Sequence, residues 1–205
     1  MVDGFSGYNG VCTPEARIRA GCWAHARRKF FEAKDTAPEA AHVLEQIKSL
    51  YQVEYEAANL GLLGSEQHRE LRNNKSGPIL SELRRYLVEQ SSTHPPKSPM
   101  GKAIGYVINN WQELIRFIDD QQLPLDNNAS ERAIRIIALG RKNYLFAGND
   151  EAAANLAGLY SLVASCELHN INPETYLGDV LIRVHTHPQK MIEELLPKKW
   201  KEIFG

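Results

Sequence analysis

The sequence predicts a mainly α-helical protein with at least one β-strand near its start, an α+β chain in which helices dominate. Most of its 205 residues lie in segments whose apolar side chains recur every three or four positions, as on one face of a helix. One early segment, 16–23, instead alternates apolar and polar residues, which is typical of a half-buried strand. No internal repeat or low-complexity tract interrupts this pattern.

The predicted strand gives way directly to a helix. One face of the strand carries Ile18, Ala20 and Cys22, and the other carries Arg17, Arg19 and Gly21. From residue 24 the period changes, and Trp23, Phe30 and Phe31 then share one side of a helix.

Several helical segments follow in the middle of the chain. They are about Pro38–Leu60, Glu66–Asn73, Pro78–Glu89 and Ser98–Ile118. Gly61 and Gly64 are predicted to end the first of them. Ser98 is predicted to cap the last, with Pro99 at its first position and a wide apolar face behind it.

The last third is also predicted to be helical. The polar stretch Asp126–Arg135 starts one helix, and 151–169 is predicted to be a buried helix rich in small residues. Asn172 and Pro173 start the next helix. The end of the chain, 185–205, is polar and contains prolines, so we expect a partly ordered tail.

Composition and charge describe an ordinary folded protein. The apolar share is 43% and the charged share 24%, which excludes a disordered chain. The apolar runs are too short to cross a membrane, and the first residues lack a signal core, so no membrane partner is expected. Three scattered cysteines suit a reducing cytoplasm, the expected location. The net charge of -1 means that any nucleic-acid role must rest on local patches.

The stretch Asp126–Arg135 combines helix-starting residues with a carboxylate and cations. If Asn128 caps the helix, Glu131 occupies its third position, and Arg135 lies four residues further along the same face. The simpler interpretation is a capping box with a surface salt bridge. The alternative is that Glu131 binds metal while the arginines face a phosphate backbone.

Five stretches, none sufficient alone, are together highly specific: Asp3–Tyr8, Gly21–Phe30, Leu125–Arg135, Leu139–Gly148 and Asn172–Leu177. In these stretches, in this order and over essentially the whole chain, the sequence resembles the transposases of the insertion sequence 66 family of bacterial mobile elements.

The resemblance implies an RNase H-like catalytic core with a large all-helical insertion. Such a core holds divalent metal with two aspartates and one glutamate. By motif position, Asp3 matches the second acid and Glu131 the third. The first acid should lie on an earlier strand, and nothing precedes Met1 to carry it. We therefore expect an incomplete core, the C-terminal portion of a transposase.

The implied domain organisation has four parts. They are 1–23, a partial RNase H-like core; 24–120, the helical insertion; 121–184, core helices including the Glu131 helix and a C-terminal element; and 185–205, a tail.

The implied activity is metal-dependent cleavage and transfer of DNA strands. Mg2+ or Mn2+ prefers carboxylate and water oxygens, and two such ions about 4 Å apart can stabilise the attacking and leaving oxygens. Asp3 and Glu131 are the expected catalytic residues and metal ligands, with the ion bound only if the triad is completed. A shared metal site needs these two carboxylates within a few ångströms of each other.

Cations near Glu131 are expected to contact DNA, because phosphate contacts dominate DNA affinity. They are Arg132, Arg135, Arg141 and Lys142. DNA, at the transposon ends, is thus the expected partner. A homo-oligomer is left open, and no small-molecule substrate is implied.

Two rival functions stay open. The first is a truncated DNA-binding or structural remnant of a transposase that performs no chemistry. The second is a helical interaction module in which Glu131 only caps its helix. The missing first aspartate makes us expect negligible strand transfer from this chain alone.

Cys22 and His25 have the spacing of a zinc-ligand pair, with His185 and His187 as candidate partners. A single pair lacks the second pair that makes zinc spacing persuasive, so packing or positioning of the active site is favoured. Cys22 as a nucleophile is weaker still, because no Asn or Asp partner is apparent.

An early group of cations also has two interpretations. Its members are Arg17, Arg19, Arg27, Arg28, Lys29 and Lys34. Solvated helix faces explain most such groups, whereas phosphate binding is the functional alternative. Near the late cations, Tyr144 could stack on a base or pack, and Phe146 is predicted to pack.

Overall fold

The structure, a computed structural model, describes residues 18–144 and 146–205, without the side chains of Ile136, Arg141, Asn143 and Tyr144. Every regular element in this part is a helix, so the mainly helical prediction is confirmed there. The α-helices are α1 (Trp23–Ala33), α2 (Ala40–Asn59), α3 (Glu66–Leu71), α4 (Gly77–Ser91), α5 (Pro99–Asn109), α6 (Trp111–Ile115), α7 (Asn128–Tyr144), α8 (Asp150–Leu168), α9 (Pro173–Arg183) and α10 (Pro197–Ile203). A π-helical turn at Arg72–Ser76 joins α3 to α4, and 3-10 turns occupy Arg116–Ile118 and Gln189–Leu195.

The prediction of a strand at 16–23 is wrong for the part of this segment that the structure describes. Residues 18–22 belong to no helix or strand. The Gly21 N–H donates to the Glu113 carbonyl at 2.8 Å, and the Trp23 N–H donates to the Leu125 carbonyl at 2.9 Å. The N–H groups of alternate residues are therefore hydrogen-bonded, as in a strand, but their acceptors belong to two separate segments of the chain. The alternation of apolar and polar residues predicts an extended backbone, but it does not identify the carbonyls that accept these hydrogen bonds.

The chain divides into two compact units, Met1–Ala129 and Ser130–Gly205. In the first, α1 packs against α2 and α5, and α4 packs against α2 and α5. Trp23 at the start of α1 is fully buried, and its indole N–H donates to the Leu114 carbonyl at 2.9 Å. The larger buried side chains of this core include Trp23, Phe30, Val43, Ile47, Leu50, Leu83, Leu87, Ile104, Val107 and Leu114. They come from the predicted apolar stripes.

Local signals at helix ends are confirmed in this unit. Gly61 and Gly64 follow α2 with φ of 68° and 74°, a conformation that favours glycine. The Ser98 hydroxyl accepts a hydrogen bond from the Gly101 N–H at 3.0 Å, with Pro99 as the first helical residue. The predicted continuous helix after Ser98 is wrong, because the backbone breaks at Asn110 (φ −111°, ψ 22°) between α5 and α6.

The second unit contains α8, α9, α10 and nearly all of α7. Its core is small: Cys166, Ile171, Tyr176 and Trp200. The rings of Tyr176 and Trp200 meet edge to face at 5.4 Å, and the Tyr176 hydroxyl donates to the Leu195 carbonyl at 2.7 Å.

Two predictions for this unit need correction. The segment 185–205, predicted to be a partly ordered tail, contains the 3-10 turn Gln189–Leu195 and helix α10, and its residues Leu195 and Trp200 are buried. Helix α8 forms as predicted but is not a buried helix, because Cys166 is its one buried residue. By contrast, the predicted start of α9 is confirmed: the Asn172 side chain accepts from the Glu174 N–H at 2.9 Å.

No helix in the described ranges has the length and apolar character needed to cross a lipid bilayer.

Candidate functional site

Helix α7 carries most of the predicted site and begins at Asn128, so Asn128 is its first residue rather than its cap. The carboxylate that holds this start is Asp126. Its Oδ1 accepts from the Asn128 backbone N–H at 3.0 Å, and its Oδ2 accepts from the Asn128 side-chain amide at 2.9 Å. Glu131 consequently lies in the first turn as the fourth helical residue.

A tyrosine on α2 completes the hydrogen bonding of Asp126. The Tyr51 hydroxyl donates to Asp126 Oδ2 at 2.9 Å. Burial, followed by this bond to the carboxylate, raises the pKa of Tyr51 far above its ordinary value. The hydroxyl therefore stays protonated and remains a donor. Three donors thus fix the carboxylate that starts α7.

The described part of α7 presents its predicted charged residues to solvent. Glu131, Arg132, Arg135 and Lys142 are all exposed. Glu131 and Arg135 are four residues apart, so they share a face of the helix. A cation must be reachable from solvent to bind a DNA backbone, and Arg132, Arg135 and Lys142 satisfy that condition.

Two predicted site residues cannot be placed in the same way. Asp3 lies outside the described residues, and so does the side chain of Arg141. The pairing of Asp3 with Glu131 therefore stays a prediction.

Ile134, Ile137 and Ala138 recur at helical spacing, which predicts a buried face of α7, and this prediction is wrong. Ile134 is 59% exposed, and Ala138 is also exposed. Phe146, predicted to pack, is 77% exposed. Apolar side chains at helical spacing predict a face that can be covered, but they do not show what covers it.

A buried arginine outside the predicted site supports the connection that leads to α7. Arg72 is 1% exposed and forms a two-bond pair with the Glu54 carboxylate at 2.8 and 2.7 Å. Its remaining donors bond the carbonyls of Phe117, Asp120 and Leu123 at 2.7, 3.0 and 2.9 Å. These carbonyls belong to the segment that ends at Asp126, so Arg72 fixes the path of the chain into α7.

His68 adds to the same buried group. Its Nδ1 accepts from the Gly64 N–H at 3.3 Å, so the proton lies on Nε2. That nitrogen is 3.3 Å from Glu54 Oε2 without meeting hydrogen-bond geometry. The sequence does not reveal the roles of Arg72 and His68, because each looks like a polar residue of an ordinary helix.

The zinc alternative gains no support from the described residues, where no three His, Cys, Asp or Glu side chains gather to hold a metal ion. Cys22 is a fully buried free cysteine. His187 has other neighbours, with its Nε2 3.1 Å from the Met191 carbonyl and 3.4 Å from Glu194.

Comparison with known families gives two matches that together cover most of the chain. The family model described as Transposase IS66 family matches residues 1–155. A second, described as IS66 C-terminal element, matches residues 161–198.

Curated relatives from Sinorhizobium fredii (strain NBRC 101917 / NGR234) match as well. The uncharacterized protein y4hP is 33% identical over 89% of this chain and 35% of its own length. The uncharacterized proteins y4jD and y4qI are 31% and 30% identical over 98% of this chain, and over 41% and 39% of their own lengths. The chain thus spans between a third and about two fifths of these relatives. No solved structure matches it.

Proposed function

This chain belongs to the IS66 family of transposases, and on that premise we propose that it acts in DNA transposition, as part of a DDE enzyme that cuts and transfers DNA strands. In this proposal the catalytic core is RNase H-like, with Asp3 as the second acid and Glu131 as the third. The family match over residues 1–155 includes both positions. The observation that carries the proposal is helix α7, which exposes Glu131 beside Arg132 and Arg135.

Charge complementarity is the physical basis of the DNA contact. Arg132 and Arg135 lie one and four residues after Glu131, so they follow it within about one helical turn. Guanidinium groups bind phosphate oxygens through paired donors. The proposed role of these arginines is to hold the backbone next to the carboxylate, with Arg141 and Lys142 continuing the contact.

Metal is part of the proposed chemistry, with Asp3 and Glu131 as ligands for Mg2+ or Mn2+. Such ions, when bound, neutralise charge on the phosphate and favour in-line attack. Carboxylate oxygens suit these hard cations. Within the described residues, no three His, Cys, Asp or Glu side chains are close enough to bind one metal ion. The proposed metal site therefore includes a residue outside that part of the chain, namely Asp3.

The DNA contact can be tested by fluorescence anisotropy with a labelled duplex. We expect R132A/R135A to weaken binding about tenfold, with a salt slope lower by about two, because two phosphate contacts are lost. The matched control is K190A/K198A, which removes the same charge from exposed positions in the same unit. Equal affinity and equal salt slope in R132A/R135A and wild type would reject the proposed contact.

A further inference from the structure

A groove between α1 and α2 gathers cations in the first unit. It has a volume of about 710 Å³, and its walls include Arg27, Arg28 and Lys34 on one side and Lys48 on the other. Two acids, Glu45 and Asp126, also line it. Four cations against two acids give the groove a positive balance, although the chain as a whole has a net charge of -1.

Both acids in the groove already have partners. Glu45 pairs with Lys48 at 3.0 Å, and Asp126 accepts from Tyr51 and Asn128. The two arginines and Lys34, in contrast, make no ion pair with any carboxylate that the structure describes. Some exposed cations elsewhere in this unit do pair with acids, as Arg69, Lys75 and Arg85 show. Within the groove, the uncompensated charge therefore lies on the α1 wall.

The spacing of these cations suits a repeating anion. Arg27 and Lys34 are seven residues apart, or roughly 10 Å along the helix axis. DNA carries one phosphate per about 3.4 Å of axis on each strand, so the wall covers about three steps of one strand. A concave site whose lining carries a net positive charge also raises the local concentration of anions.

We propose that this groove is a second DNA-contact site, in which Arg27, Arg28 and Lys34 bind the phosphate backbone. The inference rests on the proposed function, since it takes DNA as the partner. It adds a contact on the first unit, whose phosphate-binding side chains lie on α1 and at its C-terminal end, not on α7. Because phosphates and not bases are bound, the contact is independent of DNA sequence.

The test compares two double variants in the anisotropy assay. We expect R27A/R28A to weaken binding of duplex DNA about tenfold and to lower the salt slope by about two, equally for unrelated sequences. R27K/R28K keeps the point charges and should retain most of the affinity. The control K97A/K102A removes two exposed lysines from the same unit and should leave binding unchanged. Thermal unfolding followed by circular dichroism checks that each variant is folded.

Each result has a distinct meaning. If R27A/R28A binds like wild type while R132A/R135A is weakened, the groove proposal is wrong and the α7 contact stands. If only the groove variant is weakened, the α7 contact is wrong and the groove stands. A wild-type chain that does not bind DNA overturns both. Equal losses in R27A/R28A and K97A/K102A would indicate a general charge effect and would also reject the groove site.

Discussion

Arg72 uses all five of its donors in a place that water hardly reaches. Two of them meet the Glu54 carboxylate and three meet backbone carbonyls. A buried charge is tolerated when it is paired with an opposite charge and its donors are satisfied. If one partner is removed, the other stays buried without a compensating charge, which destabilises the fold. The contribution of this arginine therefore depends on the whole group and not on a single ion pair.

We predict a large loss of stability for Arg72→Met. The variant leaves Glu54, which is 18% exposed, without its cation, and it leaves three carbonyls without their donor. The free energy of unfolding should therefore fall by about 3–5 kcal/mol. Lys75→Met is the matched control, since Lys75 lies in the same π-helical turn and pairs with Glu56 at the surface. Its loss should be at most about 1 kcal/mol. Urea denaturation measures both, and similar losses for the two variants would contradict the assignment.

Sequence reasoning could not find Arg72, because its partners lie 18 to 51 positions away. The role of Tyr51 is hidden in the same way, since its bond to Asp126 spans 75 positions and helical spacing alone places it on the apolar face of α2. Glu131 was found, and its exposure agrees with the proposed role. It was singled out by its motif, and its position in the first turn of α7 follows from the local sequence.

Helix ends were predicted better than helix faces. Ser98 and Asn172 cap their helices through bonds to residues two or three positions ahead, so the cause lies within the local sequence. The faces of α7 and α8 depend on what packs against them, and the prediction of burial was wrong for both. The break at Asn110 was missed because the apolar pattern continues through it.

Helix α5 offers a test in which two glycines differ only in their surroundings. A Cβ on Gly101 would come within 2.1 Å of the Pro95 carbonyl oxygen, whereas one on Gly105 would meet nothing within 4 Å. We expect Gly101→Ala to destabilise the protein by about 1–3 kcal/mol, because backbone must move. Gly105→Ala should stabilise it by up to about 1 kcal/mol through helix propensity. Thermal melts compare the two, and a rise in the melting temperature of Gly101→Ala would show that the contact is not tight.

The helical content of the protein and its family are predictable from the sequence, and both are confirmed. The division into 1–23, 24–120, 121–184 and 185–205 stays a prediction, as does the RNase H-like core. Periodicity indicates helices wherever they occur. How the units form a catalytic centre depends on contacts between distant residues, which a local pattern does not record.

The whole chain also sets an expectation for activity. We propose Glu131 as a metal ligand, so any metal-dependent nicking of DNA by the 205-residue chain should be lost in Glu131→Ala. The assay incubates the chain with plasmid DNA and Mg2+ or Mn2+ and looks for nicked or joined products. Nicking that persists in Glu131→Ala would contradict the proposed role of Glu131.

The pairing of Arg72 with Glu54 limits how the protein can change during evolution. Losing either charge alone is costly, because the other stays buried without its partner. Replacing both by apolar side chains of similar volume avoids the unpaired charge and costs less, although the three carbonyls still lose their donor. A change that proceeds by one substitution at a time therefore passes through a poorly folded protein. An accepted change requires that both positions be substituted. Positions 54 and 72 should consequently be inherited as a unit, even though neither is expected to touch DNA or metal.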